Sequence, residues 1–241
     1  MILDMQGTSL VNYPRHVASV IFLAGCNLHC PYCYNRTLVY PERDAKPMPM
    51  DEIIKRLDER KDFITGVCIT GGEPTINQSE LLELLDAIKS VKPELDIKLD
   101  TNGTLPSALE EVIRRKAVSY IAMDYKTAPE DYKGIFCKYD VADAILESMK
   151  IIRENFDEGS YEFRTTIATD FFNREVAERM AQHIEAKDTL YFQNFRYVGD
   201  EFHVNVRAFD DIRNAGFGKK SAEYAIEPFR ARTDRIFFRN F

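Results

Sequence analysis

The chain has 241 residues, of which 45% are hydrophobic and 29% are charged, as is usual for a soluble globular protein. Its 32 Lys and Arg against 39 Asp and Glu give a formal net charge of −7, which argues against general binding to nucleic-acid phosphates. No apolar run approaches the length of a membrane span, and the N-terminus lacks the basic and apolar regions of a signal peptide. We therefore expect a protein of the reducing cytoplasm, with no membrane contact.

The first half of the chain begins an alternation of strands and helices. Residues 17–24 are short, apolar and β-branched, and they predict the first buried strand. Apolar residues at helical spacing predict a crossover helix that begins near Met50, and Gly66–Thr70 predicts the second strand. Asn77 followed by Glu80 resembles a capping box, so we expect this pair to begin the second helix.

The same alternation continues through the middle of the chain. Asp96–Thr101 predicts a third strand, Pro106–Arg115 a helix with one apolar face, and Ser119–Asp124 a fourth strand. Asp140 is a residue type that caps helices, and we expect it to begin a long helix. After that helix, Tyr161–Ile167 alternates between apolar and polar residues as a fifth strand does.

Two further elements define the expected fold class. Asn173 is expected to begin another helix, and Thr189–Phe195 is expected to form the sixth strand. Strand and helix thus alternate six times, which predicts right-handed βαβ crossovers and a parallel sheet. The expected fold is α/β, with the sheet curled into a partial (β/α)6 TIM-like barrel.

The pattern is weaker from Tyr197 onward. Phe209–Ala215 predicts a short helix, and Tyr224–Phe238 predicts one or two strands around a turn. We expect residues 1–196 to form the core. Residues 197–241 are expected to be a C-terminal extension that packs on the same domain and covers an open barrel edge.

Three of the five cysteines lie within eight residues, directly after the first predicted strand. Cys26, Cys30 and Cys33 have C-x3-C-x2-C spacing, which can hold three irons of a [4Fe–4S] cube, whose irons are normally ligated by cysteine. Cys68 and Cys137 are isolated from this group. The interpretation is a cluster with one iron left open to another molecule, which is typical of a catalytic site.

The cysteines alone leave three other interpretations open. Cys30 and Cys33 together have the form of a thiol–disulfide motif. A structural zinc ion with a fourth ligand elsewhere is a second interpretation. An oxidised disulfide set is a third, although it fits poorly with a cytoplasmic chain.

Polar residues follow several predicted strands, where the active site of a parallel barrel lies. Thr70–Pro74 contains paired glycines and a rigid Glu-Pro, which together offer acceptors for an ammonium group. Asp100–Gly103 follows the third strand, Asp124 and Lys126 follow the fourth, and Arg164 lies within the fifth. Each could by itself be a turn or a solvated ion pair. Their joint placement predicts a ligand with an ammonium, a carboxylate, ribose hydroxyls and a nucleobase.

These motifs resemble those of a known enzyme superfamily. The three cysteines with Tyr32, followed by Gly71–Pro74, resemble the radical S-adenosylmethionine superfamily. Further segments are similar to the glycyl-radical activating enzymes, above all those of anaerobic ribonucleoside-triphosphate reductase, with pyruvate formate-lyase activating enzyme as a relative. These segments are Asn12–Pro14, Phe22–Asn35, Leu99–Gly103 and Asp124–Lys126. The resemblance runs from about Thr8 to Arg196.

The resemblance implies two cofactors and a set of site residues. Cys26, Cys30 and Cys33 would ligate a [4Fe–4S] cluster, and S-adenosylmethionine would chelate its fourth iron. The residues implied around S-adenosylmethionine are Tyr32 and Asn35 near the nucleoside, Gly71, Gly72, Glu73 and Pro74 at the methionyl ammonium, Asp100 and Asp124 near the methionyl and ribose groups, Lys126 at the methionyl carboxylate, and Arg164 and Thr166 on the fifth strand. In relatives the carboxylates also bind a monovalent cation, a further expectation that the sequence leaves open.

The resemblance also implies a reaction and its partners. One-electron reduction of the sulfonium would give methionine and a 5′-deoxyadenosyl radical, which would take a hydrogen atom from a glycine Cα. The expected partners are a glycyl-radical enzyme, namely an anaerobic ribonucleotide reductase, and a low-potential electron donor such as flavodoxin or ferredoxin. Asn12, Tyr34, and Gln193 or Asn194 differ from residues common in relatives. These differences leave open a radical enzyme acting on a small molecule or another macromolecule.

Overall fold

The computed structural model describes residues 1–42, 44–202 and 206–241. The chain forms two compact units. Unit 1 comprises residues 1–27 and 37–122, and unit 2 comprises residues 28–36 and 123–241. Because the chain passes from one unit to the other after residue 27, the segment that carries the three clustered cysteines contributes to both. Each unit is described by itself below.

Unit 1 is built on strands that pair in the order in which they occur along the chain. They are β1 (Ile2–Ser9), β2 (Ala18–Leu23), β3 (Gly66–Gly71) and β4 (Asp96–Thr101). β1 is antiparallel to β2, whereas β2, β3 and β4 are parallel. β2 and the first four residues of β3 are almost continuously buried, as expected for parallel strands covered on both faces. The sequence predicted β2, β3 and β4 to within a residue, but not β1.

Helices follow the parallel strands of unit 1 and cover them. They are α1 (Arg36–Val39), where the chain returns to this unit, α2 (Met50–Asp58), α3 (Gln78–Val91) and α4 (Pro106–Arg114). The apolar faces predicted from helical spacing are buried. In α3 this face consists of Leu81, Leu84, Leu85 and Ile88. The predicted crossover helices of unit 1 are therefore confirmed.

The capping box predicted at the start of α3 is wrong. A 3-10 turn over Pro74–Asn77 precedes this helix, and the Asn77 side chain makes no capping hydrogen bond. Its amide instead donates to Glu80 Oε2 at 2.9 Å, and the same carboxylate pairs with the amino group of Met1. The Glu80 carboxylate is thus used outside the helix, which removes one half of a capping box.

Unit 2 contains a second run of parallel strands. The chain enters it through β5 (Tyr120–Asp124), and β6 (Tyr161–Ile167), β7 (Leu190–Asn194) and β8 (Ile236–Arg239) then pair in that order. Its helices are α5 (Tyr132–Ile135), α6 (Ala142–Asn155), α7 (Arg174–Ala181), α8 (Lys219–Ala225) and α9 (Glu227–Arg230). The predicted strands over 119–124, 161–167 and 189–195 are confirmed.

The C-terminal residues differ partly from the prediction. The first part of the segment expected to form strands is helical, at the end of α8 and in α9, because Ala225, Ile226 and Phe229 continue the helical spacing of buried residues that begins at Ala222. The helix expected over residues 209–215 is replaced by a 3-10 turn at Ile212–Asn214, and another 3-10 turn, Val206–Ala208, precedes this segment. β8 pairs with β7, so the last expected strand is present and covers the edge of β7.

The α/β class with parallel strands is confirmed. The division into a core of residues 1–196 and an extension of residues 197–241 stays a prediction. Within the described ranges, no helix is long and apolar enough to cross a membrane.

Candidate functional site

In unit 1 the chain turns sharply after β3, beside the end of β2. Leu23 pairs with Gly71 in the sheet, Gly72 N donates to Leu23 O at 2.8 Å, and Glu73 N donates to Gly25 O at 2.8 Å. A Cβ atom on Gly72 would lie 1.9 Å from Gly25 O, and Gly71 has a φ of +131°. Both positions therefore require glycine. The Gly-Gly turn is held against the residues that lead directly into Cys26.

The Glu73 carboxylate joins this turn to the end of β4. It is 1% exposed and accepts from Thr75 N at 3.1 Å, Thr75 Oγ1 at 2.6 Å, Thr101 Oγ1 at 2.8 Å and Asn102 N at 2.5 Å. Burial raises the pKa of Glu73, and the hydrogen bonds from Thr75, Asn102 and Thr101 oppose that rise. The carboxylate is therefore used inside the protein, and it fixes the two loops relative to each other.

Cys26 lies beside the loop that follows β4. Asn102 Nδ2 donates to Asn27 Oδ1 at 2.9 Å and lies 3.8 Å from Cys26 Sγ. Asn27 Nδ2 in turn donates to Thr104 Oγ1 at 2.7 Å. The sequence interpretation assigned Asn102 only to a polar loop, whereas the structure places its amide against a predicted cluster ligand. Unit 1 thus brings together Cys26, the turn after β3 and the loop after β4.

Asp100 has partners that the sequence interpretation did not assign. Thr70 Oγ1 donates to its Oδ2 at 3.1 Å, and the Lys98 ammonium pairs with its Oδ1. Lys98 Nζ also lies 3.9 Å from Cys68 Sγ, among buried residues of β3 and β4. The available signal was a lysine inside a predicted buried strand, on the same side of that strand as Asp100.

In unit 2 one carboxylate and two cations form a compact cluster. Arg164 Nε donates to Asp124 Oδ1 at 2.8 Å, and Lys126 Nζ donates to Asp124 Oδ2 at 2.9 Å. Although burial raises the pKa of Asp124, Arg164 and Lys126 outweigh it and lower that pKa to about 2. Burial lowers the pKa of Lys126, but Asp124 and Cys30 hold it well above its usual value. The cluster therefore keeps a net positive charge at neutral pH.

The part of the cysteine segment that belongs to unit 2 is fixed by backbone hydrogen bonds. His29 N donates to Phe136 O at 2.8 Å, and Cys33 N donates to Cys30 O at 3.1 Å. The exposed Asn35 contributes its backbone N–H, which lies 3.4 Å from Cys33 Sγ. Burial raises the pKa of Cys33, while this N–H and Lys126 oppose the rise.

Tyr32 presents a buried hydroxyl in unit 2. Its ring lies edge-on to Phe136 and Phe171, with centroid distances of 5.7 and 6.2 Å. Its Oη is buried and, among the residues that the structure describes, has no hydrogen-bond partner. A buried hydroxyl normally has a partner, so this atom is suited to a ligand that brings one.

The remaining predicted residues contribute less to the geometry. Thr166 lies two residues after Arg164, on the same side of β6, and pairs in register with Gln193.

No disulfide joins any of the five cysteines, all of which lie in the described ranges, and this gives the disulfide interpretation no support. Across the described ranges, no three His, Cys, Asp or Glu side chains form a metal-binding arrangement. The assignment of Cys26, Cys30 and Cys33 as ligands therefore rests on their spacing.

A surface cavity of unit 2 lies away from these residues. It has a volume of about 520 Å³ and is formed at the start of α7 and along α8. Its lining includes Phe172, Arg174, Phe217, Lys220, Ser221 and Tyr224. None of the predicted site residues lines it, so it does not change the location of the candidate site.

The fold and the motifs define an α/β protein with a cysteine loop that follows a parallel strand and a Gly-Gly turn that follows the next. A family model described as the Radical SAM superfamily matches residues 20–186. That match covers more than half of the chain, and it contains both motifs. The chain therefore belongs to the radical S-adenosylmethionine superfamily.

Individual relatives suggest more than one activity. A protein of Methanocaldococcus jannaschii, named as a candidate glycyl-radical enzyme activating enzyme, is 32% identical over 191 residues, which are 78% of this chain and 76% of the relative. A GTP 3′,8-cyclase of Clostridium perfringens is 26% identical over 179 residues. The match covers 73% of this chain but only 54% of the cyclase, so the chain spans about half of that enzyme.

Solved structures share the fold at low sequence identity. The structure of HydG, a maturase of the [FeFe]-hydrogenase, has a TM-score of 0.61 and 12% identity, covering 92% of this chain and 50% of HydG. The structure of TsrM, a radical S-adenosylmethionine methyltransferase from Kitasatospora setae with cobalamin and a [4Fe–4S] cluster bound, has a TM-score of 0.55 and 14% identity. It covers 78% of this chain and 38% of TsrM. At these identities the likeness concerns the fold alone.

Family membership decides several of the open interpretations. It confirms a [4Fe–4S] cluster and S-adenosylmethionine as the cofactors, in place of a zinc ion or a thiol–disulfide pair. The role of each individual residue, the monovalent cation and the identity of the substrate stay predictions.

Proposed function

We propose that the chain is a glycyl-radical activating enzyme whose partner is an anaerobic ribonucleoside-triphosphate reductase. The observation that carries this proposal is the match to the Methanocaldococcus jannaschii relative over most of both chains. The motifs shared with activating enzymes support it from the sequence side. The cytoplasm as the location, and flavodoxin or ferredoxin as the electron donor, belong to the same proposal.

We propose Cys26, Cys30 and Cys33 as the ligands of the cluster. None of the three forms a disulfide in the described structure, and three thiolates are a donor set that fits three irons of a [4Fe–4S] cube. When bound, the cluster and S-adenosylmethionine supply one-electron cleavage of the sulfonium, which generates the 5′-deoxyadenosyl radical. Asn102, whose amide lies beside Cys26 Sγ, orients that ligand and stabilises its charge.

In unit 1 the backbone of the turn after β3 is proposed to hold the methionyl ammonium. The Glu73 carboxylate already accepts several protein hydrogen bonds, so backbone carbonyls of Gly71–Pro74 are the better acceptors. Glu73 then acts as a positioning residue, since it ties this turn to the loop after β4. Asp100 is proposed to lie near the methionyl and ribose groups of S-adenosylmethionine.

In unit 2 the net positive cluster around Asp124 is proposed to attract the methionyl carboxylate. We propose that Lys126 faces the methionyl carboxylate, and that Arg164 and Thr166 on β6 also contact S-adenosylmethionine. The buried Tyr32 hydroxyl hydrogen-bonds to the nucleoside, since it has no partner among the described residues. Asn35 contacts the nucleoside from the exposed end of the cysteine segment.

A second candidate function is a radical enzyme that acts on a small molecule. The observation that favours it is the similarity to the GTP 3′,8-cyclase, whose substrate is a nucleotide. The same core supports many substrates, and the fold does not distinguish them.

The cleavage activity is tested first with purified protein that is reconstituted and reduced without oxygen. We expect release of 5′-deoxyadenosine, measured by chromatography, and its complete loss in Cys30→Ala. Cys137→Ala is the matched control, because this thiol lies outside the motif and should leave cleavage unchanged. Cleavage that persists in Cys30→Ala would contradict the assignment of Cys30 as a cluster ligand.

The partner is tested by incubating the active protein with an anaerobic ribonucleoside-triphosphate reductase. We expect an organic radical on the reductase in its electron paramagnetic resonance spectrum, and no radical when its acceptor glycine is replaced by alanine. Cofactor cleavage without that signal, together with consumption of GTP, would favour the second candidate function instead.

A further inference from the structure

Lys98 carries a buried charge that none of the roles above uses. It lies on β4, two residues before Asp100, so both side chains project from the same face of the strand. The Lys98 side chain is 3% exposed and the Asp100 side chain is 12% exposed. An ammonium group at such a depth costs free energy unless it is paired, and its charged partner here is Asp100.

Both carboxylate oxygens of Asp100 already have a donor. Oδ1 is paired with the Lys98 ammonium, and Oδ2 accepts from Thr70 Oγ1 at 3.1 Å. An alkali cation bound to Asp100 would lie next to the Lys98 ammonium, where both charges are largely shielded from water. The repulsion between two such charges would offset its attraction to the single carboxylate.

In unit 2, both carboxylate oxygens of Asp124 likewise accept hydrogen bonds from side chains. Its Oδ1 accepts from Arg164 Nε at 2.8 Å, and its Oδ2 accepts from Lys126 Nζ at 2.9 Å. Two cations on one carboxylate leave a net positive charge there. The carboxylates that the resemblance implies as ligands of a monovalent cation are thus both neutralised by side chains of the chain itself.

We propose that Lys98 is a positioning residue whose ammonium is the built-in counter-charge of Asp100 and takes the place of a monovalent cation. Its role near S-adenosylmethionine rests on the function proposed above, whereas its effect on cation binding does not. The proposal implies that this protein, unlike relatives that bind such a cation, does not respond to the identity of the alkali cation in solution.

The first test uses the full-length native protein and needs no activity. Its melting temperature is measured in sodium, potassium and tetramethylammonium chloride at equal ionic strength, and sodium binding is followed by sodium NMR relaxation. We expect equal melting temperatures and no bound sodium. A stabilisation specific to sodium or potassium that is lost in Asp100→Asn would overturn the proposal.

The second test removes the ammonium and leaves space for an ion. In Lys98→Ala we expect a lower melting temperature in tetramethylammonium chloride, and a recovery of about 2 to 4 °C in sodium or potassium chloride. Lys98→Met fills the same space without a charge and should show no such recovery. Lys55→Ala, at an exposed position of α2, is the control for loss of a lysine. Equal melting of Lys98→Ala in all three salts would count against the proposal, and if this variant does not fold, the native protein decides.

The activity arm separates this proposal from the proposed function. We expect the native protein to cleave S-adenosylmethionine at the same rate in potassium and tetramethylammonium chloride. Absence of cleavage in every salt would refute the proposed function. The melting temperatures and the sodium NMR relaxation would still decide whether Lys98 takes the place of a cation. Cleavage that requires sodium or potassium would refute the counter-charge role and leave the proposed function intact.

Discussion

Asp124 shows how strongly neighbouring charges control a single group in this protein. Burial alone would favour its protonated form, but Arg164 and Lys126 each donate to one of its oxygens. Their combined effect lowers the pKa of Asp124 from 3.8 to about 2. The carboxylate is therefore ionised at every pH at which the protein would work, and it holds the two cations in fixed positions.

This shift predicts a specific dependence of stability on pH. Because the folded-state pKa lies below the unfolded-state value, the stabilisation is complete above about pH 4 and is lost as the pH falls toward about 2. The difference corresponds to about 2 kcal/mol. We expect the free energy of unfolding of the native protein, measured by urea denaturation, to fall more steeply over this range than that of Asp124→Asn.

The control for this prediction is Asp157→Asn, which changes an exposed aspartate of the same unit. This variant should keep the steep acid dependence of the native protein. Equal slopes for the native protein and Asp124→Asn would show that Arg164 and Lys126 do not hold the carboxylate as described.

At the same scale, the sequence predicted residue types better than it predicted their partners. Glu73 was interpreted as an acceptor for a ligand, yet its carboxylate is buried and accepts from Thr101 and Asn102. These partners lie more than 25 residues away along the chain. Such contacts depend on how β3 and β4 are paired, and neither motif spacing nor helical periodicity contains that information. Lys98 was overlooked although strand alternation places it on the same face as Asp100, whereas its approach to Cys68 depends on the pairing of β3 and β4.

At the scale of elements, two asparagines show why one cap was predicted correctly and the other was not. Asn173 has an extended backbone, and its side chain accepts from Val176 N at 3.0 Å. Asn77 follows a 3-10 turn, and its side chain bonds to Glu80 instead. The local sequence is suitable in both cases. α3 still begins directly after Asn77, but the preceding 3-10 turn, which Glu73 caps, leaves the Asn77 side chain bonded to Glu80 and not to the helix backbone.

These two positions give a matched pair of substitutions. Asn173→Ala should reduce the free energy of unfolding by about 1 kcal/mol, because the backbone N–H of Val176 loses its acceptor. Asn77→Ala should reduce it by about 0.5 kcal/mol or less, because only an exposed side-chain contact is lost. Both are measured by chemical denaturation. A larger loss for Asn77→Ala than for Asn173→Ala would mean that the caps are assigned the wrong way round.

The C-terminal elements mark the limit of prediction from periodicity. Strands β2 to β7 were predicted because each is a short segment, either apolar or alternating between apolar and polar residues, and because amphipathic helices separate them. The segment over α8 and α9 mixes aromatic residues with charges, and its helices are only seven and four residues long. With two turns or fewer, a helical pattern has too few repeats to be distinguished from the alternation of a strand.

At the scale of the whole molecule, each unit has an extensive core of its own. Ile69 and Leu99 are fully buried in unit 1, and Ile145 and Met149 are fully buried in unit 2. A chain of 241 residues buries roughly 70% of the surface that it exposes when unfolded. Its stability should therefore come from apolar packing, unlike that of zinc fingers, which are unfolded without their metal.

Removal of iron is thus predicted to abolish activity without unfolding the protein. Chelation under anaerobic conditions should stop cleavage of S-adenosylmethionine and leave the far-ultraviolet circular dichroism unchanged. Faster hydrogen exchange should be confined to residues 26–35, whose part in unit 2 is still anchored by the bond from His29 N to Phe136 O. A cooperative loss of helical signal on chelation would show instead that the cluster ligands hold the fold together. Re-addition of iron and sulfide provides the control, since a protein that has kept its fold should regain activity without a refolding step.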